Sequence, residues 1–242
     1  MTGIQRQRTQ HKQLGLIGGM SWRSTMLYYE RLNRAMEQAC GPHHSFTGRI
    51  VNLDYAGLLG RVAHEDWNGI CDILSRAAQD LSRSGCDVVA LTAVTAHLWF
   101  DDVRKASGAT VPHVLTATAH ELDMQKVRSA GVLGTQTTCS SSFVRNYLGA
   151  EGRRIIVLDA EAQSAIDHLI QSILTADDDR TAGSGLLLRA IETLASRGAD
   201  AVVLACTELP LLLPLHGSPV PLLDSVALHV NDICDHILTE AS

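Results

Sequence analysis

The chain has 242 residues, 45% hydrophobic and 19% charged, with a formal net charge of -6. That balance describes a globular protein with a full core, in one large domain or two of ~120 residues. A net negative chain lacks the broad positive field of a nucleic-acid binder, and aromatics at 4% argue against an aromatic-rich β-sandwich.

No apolar run approaches the ~18–20 residues of a membrane span. Met1–Gln13 is polar and mildly basic, without the apolar centre of a secretory signal, and reads as a disordered tail. Leu14–Gly18 then has the composition of a buried strand, and Thr25–Gln38 carries helical spacing in Met26, Tyr29, Leu32 and Met36. Arg49–Leu53 is a second strand. Asn68–Ser84 predicts a helix with Ile70, Leu74, Ala77, Ala78 and Leu81 on one face, followed by a strand over Val88–Leu91. The alternation continues through strands at Gly131–Gly134 and Ile155–Leu158, helices at Ala165–Leu174 and Leu186–Ser196, and a strand at Ala201–Ala205. A helix over Val226–Leu238 closes the series. Such alternation builds βαβ units, so the fold class is α/β with parallel sheets covered on both faces.

The chain also repeats itself. Gly15-Leu16-Ile17-Gly18 matches Gly131-Val132-Leu133-Gly134, and the stretch from Gly85 matches the stretch from Gly198. The second pair shares Gly-x-Asp, an apolar strand and a small residue at the strand's end. Two pseudo-symmetric α/β halves follow, the first over 14–112 completed by 222–242, the second over 113–221. Links near Ala106–Pro112 and Leu213–Pro221 carry the Gly and Pro signals of a crossover. Ligands of open parallel sheets sit beyond the carboxyl ends of strands, so the loops at Gly18, Ala93, Gly134 and Cys206 are expected to share one cleft.

Cys206 ends a predicted strand, where unpaired backbone N–H groups favour a thiolate and lower its pKa. A buried structural thiol fits the same position. The repeat places Ala93 opposite it. His97 and Thr95 follow the same strand end as Ala93, and a satisfied structural histidine is the alternative for His97. Glu208 is a candidate general acid or base, or an ion-pair partner. The loop from Gly18 to Thr25 offers hydroxyls before a helix, with Ser24 or Thr25 equally suited to be its cap. The loop from Gly134 to Ser142 is denser still in hydroxyls. Eleven histidines form no H-E-x-x-H and no Cys/His cluster of zinc spacing, so no metal is expected. The six cysteines lie far apart without a C-x-x-C pair, as reduced thiols of a cytoplasmic protein do.

Together "LGLIGGMSWRST", "VALTAVTAH", "GVLGTQTT", "VVLACTELPLLL" and "PLLDS" resemble the cofactor-independent aspartate/glutamate racemases, from Leu14 onward. The resemblance implies an active site between two Rossmann-like halves, a homodimer, and no metal, flavin or pyridoxal phosphate. It also implies two strand-end cysteines on opposite faces of a substrate α-carbon, one removing a proton and the other returning one. Here the first strand end reads Ala93-Val94-Thr95-Ala96-His97 where the family has C-N-T-A-H. Ala165 stands where relatives carry a carboxylate-binding lysine, and Arg23 replaces an acidic residue of the first loop. The expected pocket is therefore more apolar than a dicarboxylic amino acid wants.

Three readings stay open: a racemase or epimerase whose second acid/base lies elsewhere, such as His97; a single-cysteine lyase or isomerase resembling arylmalonate decarboxylase; or a non-catalytic binder of small acids. In each, a carboxylate is expected on Thr207, Thr135 and Thr138. A second polar group is expected near Ser21 and Thr95, with Ala93 and Val94 lining the apolar side.

Overall fold

In the computed structural model, which describes residues 11–175, 180–213 and 217–239, the first strand β1 (Leu14–Gly18) is buried along its whole length. It feeds α1 (Trp22–Cys40), which starts ahead of the predicted Thr25 because Ser21, not Ser24 or Thr25, is the cap. The Ser21 hydroxyl accepts from the Ser24 N–H at 3.4 Å. Next come β2 (Gly48–Asn52), α2 (Tyr55–Ala63), α3 (Trp67–Arg83) and β3 (Val88–Leu91). β1 pairs in parallel with β2 on one side and β3 on the other. A short 3-10 helix (Thr95–Trp99), α4 (Phe100–Ser107) and α5 (Val114–Met124) then lead to β4 (Ser129–Leu133). They are followed by α6 (Gln136–Ser140), α7 (Ser142–Leu148) and β5 (Arg154–Ile156), the last ending short of the predicted Leu158. α8 (Ala160–Thr175) and α9 (Arg180–Ser196) precede β6 (Ala201–Leu204), and β7 (Leu222–Asp224) runs directly into α10 (Ser225–Leu238). The second sheet is parallel throughout, in the order β5-β4-β6-β7.

Two boundaries differ from the sequence expectation. The stretch 222–242 does not go to the first half as one piece: β7 extends the second sheet by pairing with β6, and α10 returns to the first. Residues 1–10 of the expected tail and 214–216 of the expected link lie outside the described residues, but Lys12 and Gln13 are tied down. The Lys12 N–H donates to Ile237 O at 3.0 Å, and the Gln13 N–H donates to Asp87 Oδ2 at 2.8 Å.

The internal repeat has a physical basis in both sheets. Gly15 and Gly131 let a helix lie against the central strand: a Cβ on Gly15 would sit 3.0 Å from Leu81 of α3, and one on Gly131 3.0 Å from Leu194 of α9. The repeated aspartates pin the start of each central strand. Asp87 accepts from Gln13 N, and Asp200 Oδ2 accepts from Arg128 N at 3.0 Å and Ser129 N at 2.9 Å. Ile17 pairs with Leu91 as Leu133 pairs with Leu204, so the strand ends lie at matching heights. The α3 face read from the sequence is buried residue for residue, from Ile70 to Leu81. Truncating such a side chain to alanine costs about 2–5 kcal/mol. No helix among the described residues is long and apolar enough to cross a membrane.

Behind the end of β3, three histidines are buried together. His97 and His113 have ring centroids 4.9 Å apart, and His97 and His229 5.6 Å apart. His229 donates from Nε2 to Pro112 O at 3.2 Å and accepts from the Tyr28 hydroxyl at Nδ1 at 2.8 Å. Burial keeps all three neutral, pushing His97 down to about 4, His113 to about 2 and His229 to about 3. Folded-state values below the unfolded 6.5 mean that stability is complete above that pH and falls as the unfolded chain alone takes up protons. Each histidine removes about 2 kcal/mol between pH 7 and pH 5. Urea midpoints should therefore drop sharply over this range, and His113→Phe should flatten the dependence by about one third. Equal midpoints at pH 7 and pH 5 would contradict the assignment.

Candidate functional site

The four loops at the ends of β1, β3, β4 and β6 meet at a cavity of about 330 Å³. Met20 represents the first loop, Ala93 to Ala96 the second, Thr135 to Thr137 the third and Cys206 to Glu208 the fourth. The second-sheet loops are held close: the Ala205 N–H donates to Leu133 O at 2.7 Å, and a Cβ on Gly134 would lie 2.7 Å from Ala205 O. Only glycine permits that approach.

Glu208, 4% exposed, organises the polar side. Its Oε1 accepts from the Ser24 hydroxyl at 2.5 Å and the Ser21 hydroxyl at 3.2 Å. Its Oε2 accepts from the Thr207 hydroxyl at 2.7 Å and the Cys206 thiol at 3.1 Å. The Ser24 and Thr207 oxygens are themselves 2.6 Å apart. A second chain of hydroxyls joins the β3 and β4 ends, with Thr138 Oγ1 2.9 Å from Thr95 Oγ1 and 3.0 Å from Thr135 Oγ1. Thr135 also caps α6 through the Thr138 N–H.

The expected depression of the Cys206 pKa is corrected. Burial first, then the charge of Glu208, pushes the thiol well above its ordinary value, and the backbone N–H of Glu208 acts in the opposite sense without prevailing. The resting group is a thiol that donates. His97 takes the structural role, not the catalytic one: its Nδ1 donates to Ala93 O at 3.1 Å and its ring stacks on Phe100, away from the cavity lining. The 3-10 turn over 95–99 swings the side chain behind the strand end. Ser21 and Thr138 act one layer back, through Glu208 and Thr95, and do not line the cavity. Ala93, Val94, Thr95, Thr135, Thr207, Cys206 and Glu208 do.

Several lining residues were not anticipated. Tyr55 and Val62 come from α2, Trp67 and Ile70 from α3, and Asp167 and Gln171 from α8. Burial, Glu208 and Cys206 together raise the Tyr55 phenol pKa. Asp167 Oδ1 accepts from the Gln136 N–H at 2.9 Å. An Asp-x-x-Gly start to α2, with Asp54 capping through Gly57 N at 3.1 Å, is the sequence signal that marks this helix. Ala165 does not line the cavity, and Arg23 lies with its guanidinium over the Trp22 ring at 4.6 Å. The six cysteines are free thiols; Cys139 is core packing, its pKa raised to about 12 by burial.

A family model described as Asp/Glu/hydantoin racemase matches residues 17–233. The broad specificity amino-acid racemase RacX of Bacillus subtilis is 29% identical over 150 residues, 62% of this chain. The match spans 64% of that relative, less than two thirds of its length. A Yersinia pestis structure provisionally designated an Asp/Glu racemase superposes with a TM-score of 0.85 at 30% identity, covering 94% of this chain and 100% of that one. An aspartate racemase homologue from Pyrococcus horikoshii superposes with a TM-score of 0.81 at 27% identity, covering 95% and 100%.

The thiol's environment is directly testable. Replacing Glu208 with glutamine removes the negative charge while keeping the side-chain shape, so Cys206 should ionise at lower pH than in the parent, by ultraviolet thiolate absorbance. Burial still holds it above an ordinary thiol. An unshifted titration would mean that Glu208 does not control the sulfur.

Proposed function

The chain belongs to the Asp/Glu/hydantoin racemase family, and on that premise we propose a cofactor-independent isomerase or lyase that moves a proton at the carbon next to a carboxylate of an amino acid or related small acid. The observation that carries this reading is the Cys206 thiol in the cavity wall, donating to Glu208 Oε2 at 3.1 Å. A thiol beside a carboxylate has both a proton to give and a place to put it. In the removal step Glu208 accepts the thiol proton and the sulfur takes the α-hydrogen. The electron pair left on carbon spreads into the substrate carboxylate as an enediolate. The Thr207 hydroxyl lines the cavity and donates to Glu208 in the resting site; once Glu208 carries the thiol proton, that hydroxyl is released to donate to the negative charge developing on the substrate oxygen.

Stereochemistry depends on what meets the other face. Ala93, at the strand end equivalent to Cys206, has no proton to give, and His97 is turned away. Among the described residues, Tyr55 is the titratable lining group contributed from the first-sheet side, and its raised pKa keeps it protonated. Returning the proton through Cys206, with Glu208 handing its own back to the sulfur, gives exchange with retention; delivery from Tyr55 gives inversion, after which solvent takes the Glu208 proton and restores the Tyr55 hydroxyl.

Ala93 also favours a second reading, in which the substrate loses a carboxyl group. The C–C bond breaks, carbon dioxide leaves, and the carbanion takes the Cys206 proton on one face. Solvent then restores the thiol.

The deciding experiment incubates the protein with amino acids and small dicarboxylic acids in deuterated water, following α-deuterium, inversion and carbon dioxide. Exchange with some inversion is expected from the first reading, and carbon dioxide with a single enantiomer from the second. Cys206→Ala should lower either rate by about 100-fold or more. Tyr55→Phe should slow inversion while sparing exchange. A Cys206→Ala variant working at the parental rate overturns the proposal, and no turnover on any acid leaves a small-acid binder.

A further inference from the structure

We infer that the substrate is a zwitterionic α-amino acid with a large neutral side chain, apolar or aromatic, lodged against the wall built by α2, α3 and the 3-10 helix after β3. Aspartate and glutamate are excluded. The inference rests on the reaction proposed above for the reacting end and on the cavity wall for the side chain.

Charge is the first argument. The lining holds two carboxylate residues, Asp167 and Glu208, and, among the described residues, no Lys, Arg or His. An acidic side chain would enter this space as a further negative charge with no cation in the wall to meet it. An α-ammonium, by contrast, offsets one of the two carboxylates. Charge thus rules against an acidic side chain, and the apolar wall decides for a neutral side chain over a basic one.

The second argument is the apolar part of the lining. Leu58, Val62, Trp67, Ile70, Leu98 and Trp99, from α2, α3 and the 3-10 helix, all line the cavity. Scattered exposed hydrophobics are ordinary, but here Val62 at 43%, Trp67 at 46% and Leu98 at 39% exposure gather on one cavity. A bound apolar side chain withdraws them from water; alanine is too short to do so.

The third argument is shape. The cavity of about 330 Å³ lies at the small end of the ~300–1,000 Å³ range of small-molecule sites, the size for one amino acid with an extended side chain. The wall is also held in place before binding. Asp66 caps α3 by accepting from the Gly69 N–H at 2.9 Å and pairs with Arg61 of α2, fixing the two helices at their junction. The Trp67 and Trp99 rings rest 6.4 Å apart.

Two measurements on the full chain test this: calorimetric binding, and α-deuterium exchange, each with phenylalanine, leucine, alanine, aspartate and glutamate. Phenylalanine and leucine should bind about 10- to 100-fold more tightly than alanine, and the two acidic amino acids no more tightly than alanine. Trp67→Ala, at a half-exposed position whose truncation leaves the core intact, should cut the phenylalanine-to-alanine affinity ratio about tenfold. Val62→Lys should raise glutamate affinity by supplying the absent cation. Preferential binding of an acidic amino acid, no binding by phenylalanine or leucine, or an unchanged ratio in Trp67→Ala overturns the inference. Binding of phenylalanine with no exchange on any amino acid refutes the proposed reaction and upholds the side-chain assignment. Faster exchange on aspartate or glutamate does the reverse.

Discussion

One buried carboxylate decides how the polar half of this cavity is arranged. Glu208 accepts from two hydroxyls at the start of α1 and from a hydroxyl and a thiol at the end of β6. Those donors come from layers on different sheets, so the carboxylate joins the first sheet's leading helix to the loop after β6 in the second sheet. A network of this kind is unforgiving: without its acceptor the Cys206 thiol loses its hydrogen-bond partner and the hydroxyls of Ser21, Ser24 and Thr207 have only one another, and an unpaired buried donor costs more than an ordinary hydrogen bond contributes. It also fixes the chemical state of the sulfur. The negative charge of Glu208 opposes formation of the thiolate, adding to the effect of burial on Cys206.

The two halves show how a shared scaffold separates structure from chemistry. Gly15 and Gly131, Asp87 and Asp200, and the paired ends of β1 and β3 against β4 and β6 perform matching backbone tasks. Ala93 and Cys206 occupy corresponding strand ends, yet only one carries a titratable group. Neither the sheet register nor the helix packing depends on which side chain stands there. A strand end of this type is free to differ in chemistry while the sheet behind it stays the same.

Much of this was legible in the chain because it follows short-range rules. The period of Ile70 to Leu81 names the buried face of α3, and the recurrence of Gly-x-Asp names the strands that follow. The membership of the site was partly legible for the same reason, since Cys206, Thr207 and Ala93 sit where parallel strands end. Three things were not. The proton state of Cys206 depends on burial among residues far away in sequence, which no strand-end rule contains. Which of its two readings His97 follows is set by a single 3-10 turn that rotates it behind the sheet, where His113 and His229 receive it. The α2 wall was missed because a nine-residue helix with Gly57 and Gly60 in it presents no clear periodic stripe.

The path of α10 has a consequence for biosynthesis. Val226, Val230, Ile233 and Ile237 complete the apolar layer formed by Leu14, Leu16, Tyr28, Leu32 and Val88. A ribosome delivers β1, β2 and β3 long before it delivers Ser225–Leu238, with the strands of the entire second sheet translated in between. Through most of synthesis that side of the first sheet therefore has α1 on it but lacks the apolar face of α10, leaving part of the layer open to water or to chaperones. The second sheet has no such debt, because β4 to β7 emerge as one uninterrupted block. The apolar layer of the first sheet is thus the last to gain all of its residues, although its strands are the first to be made.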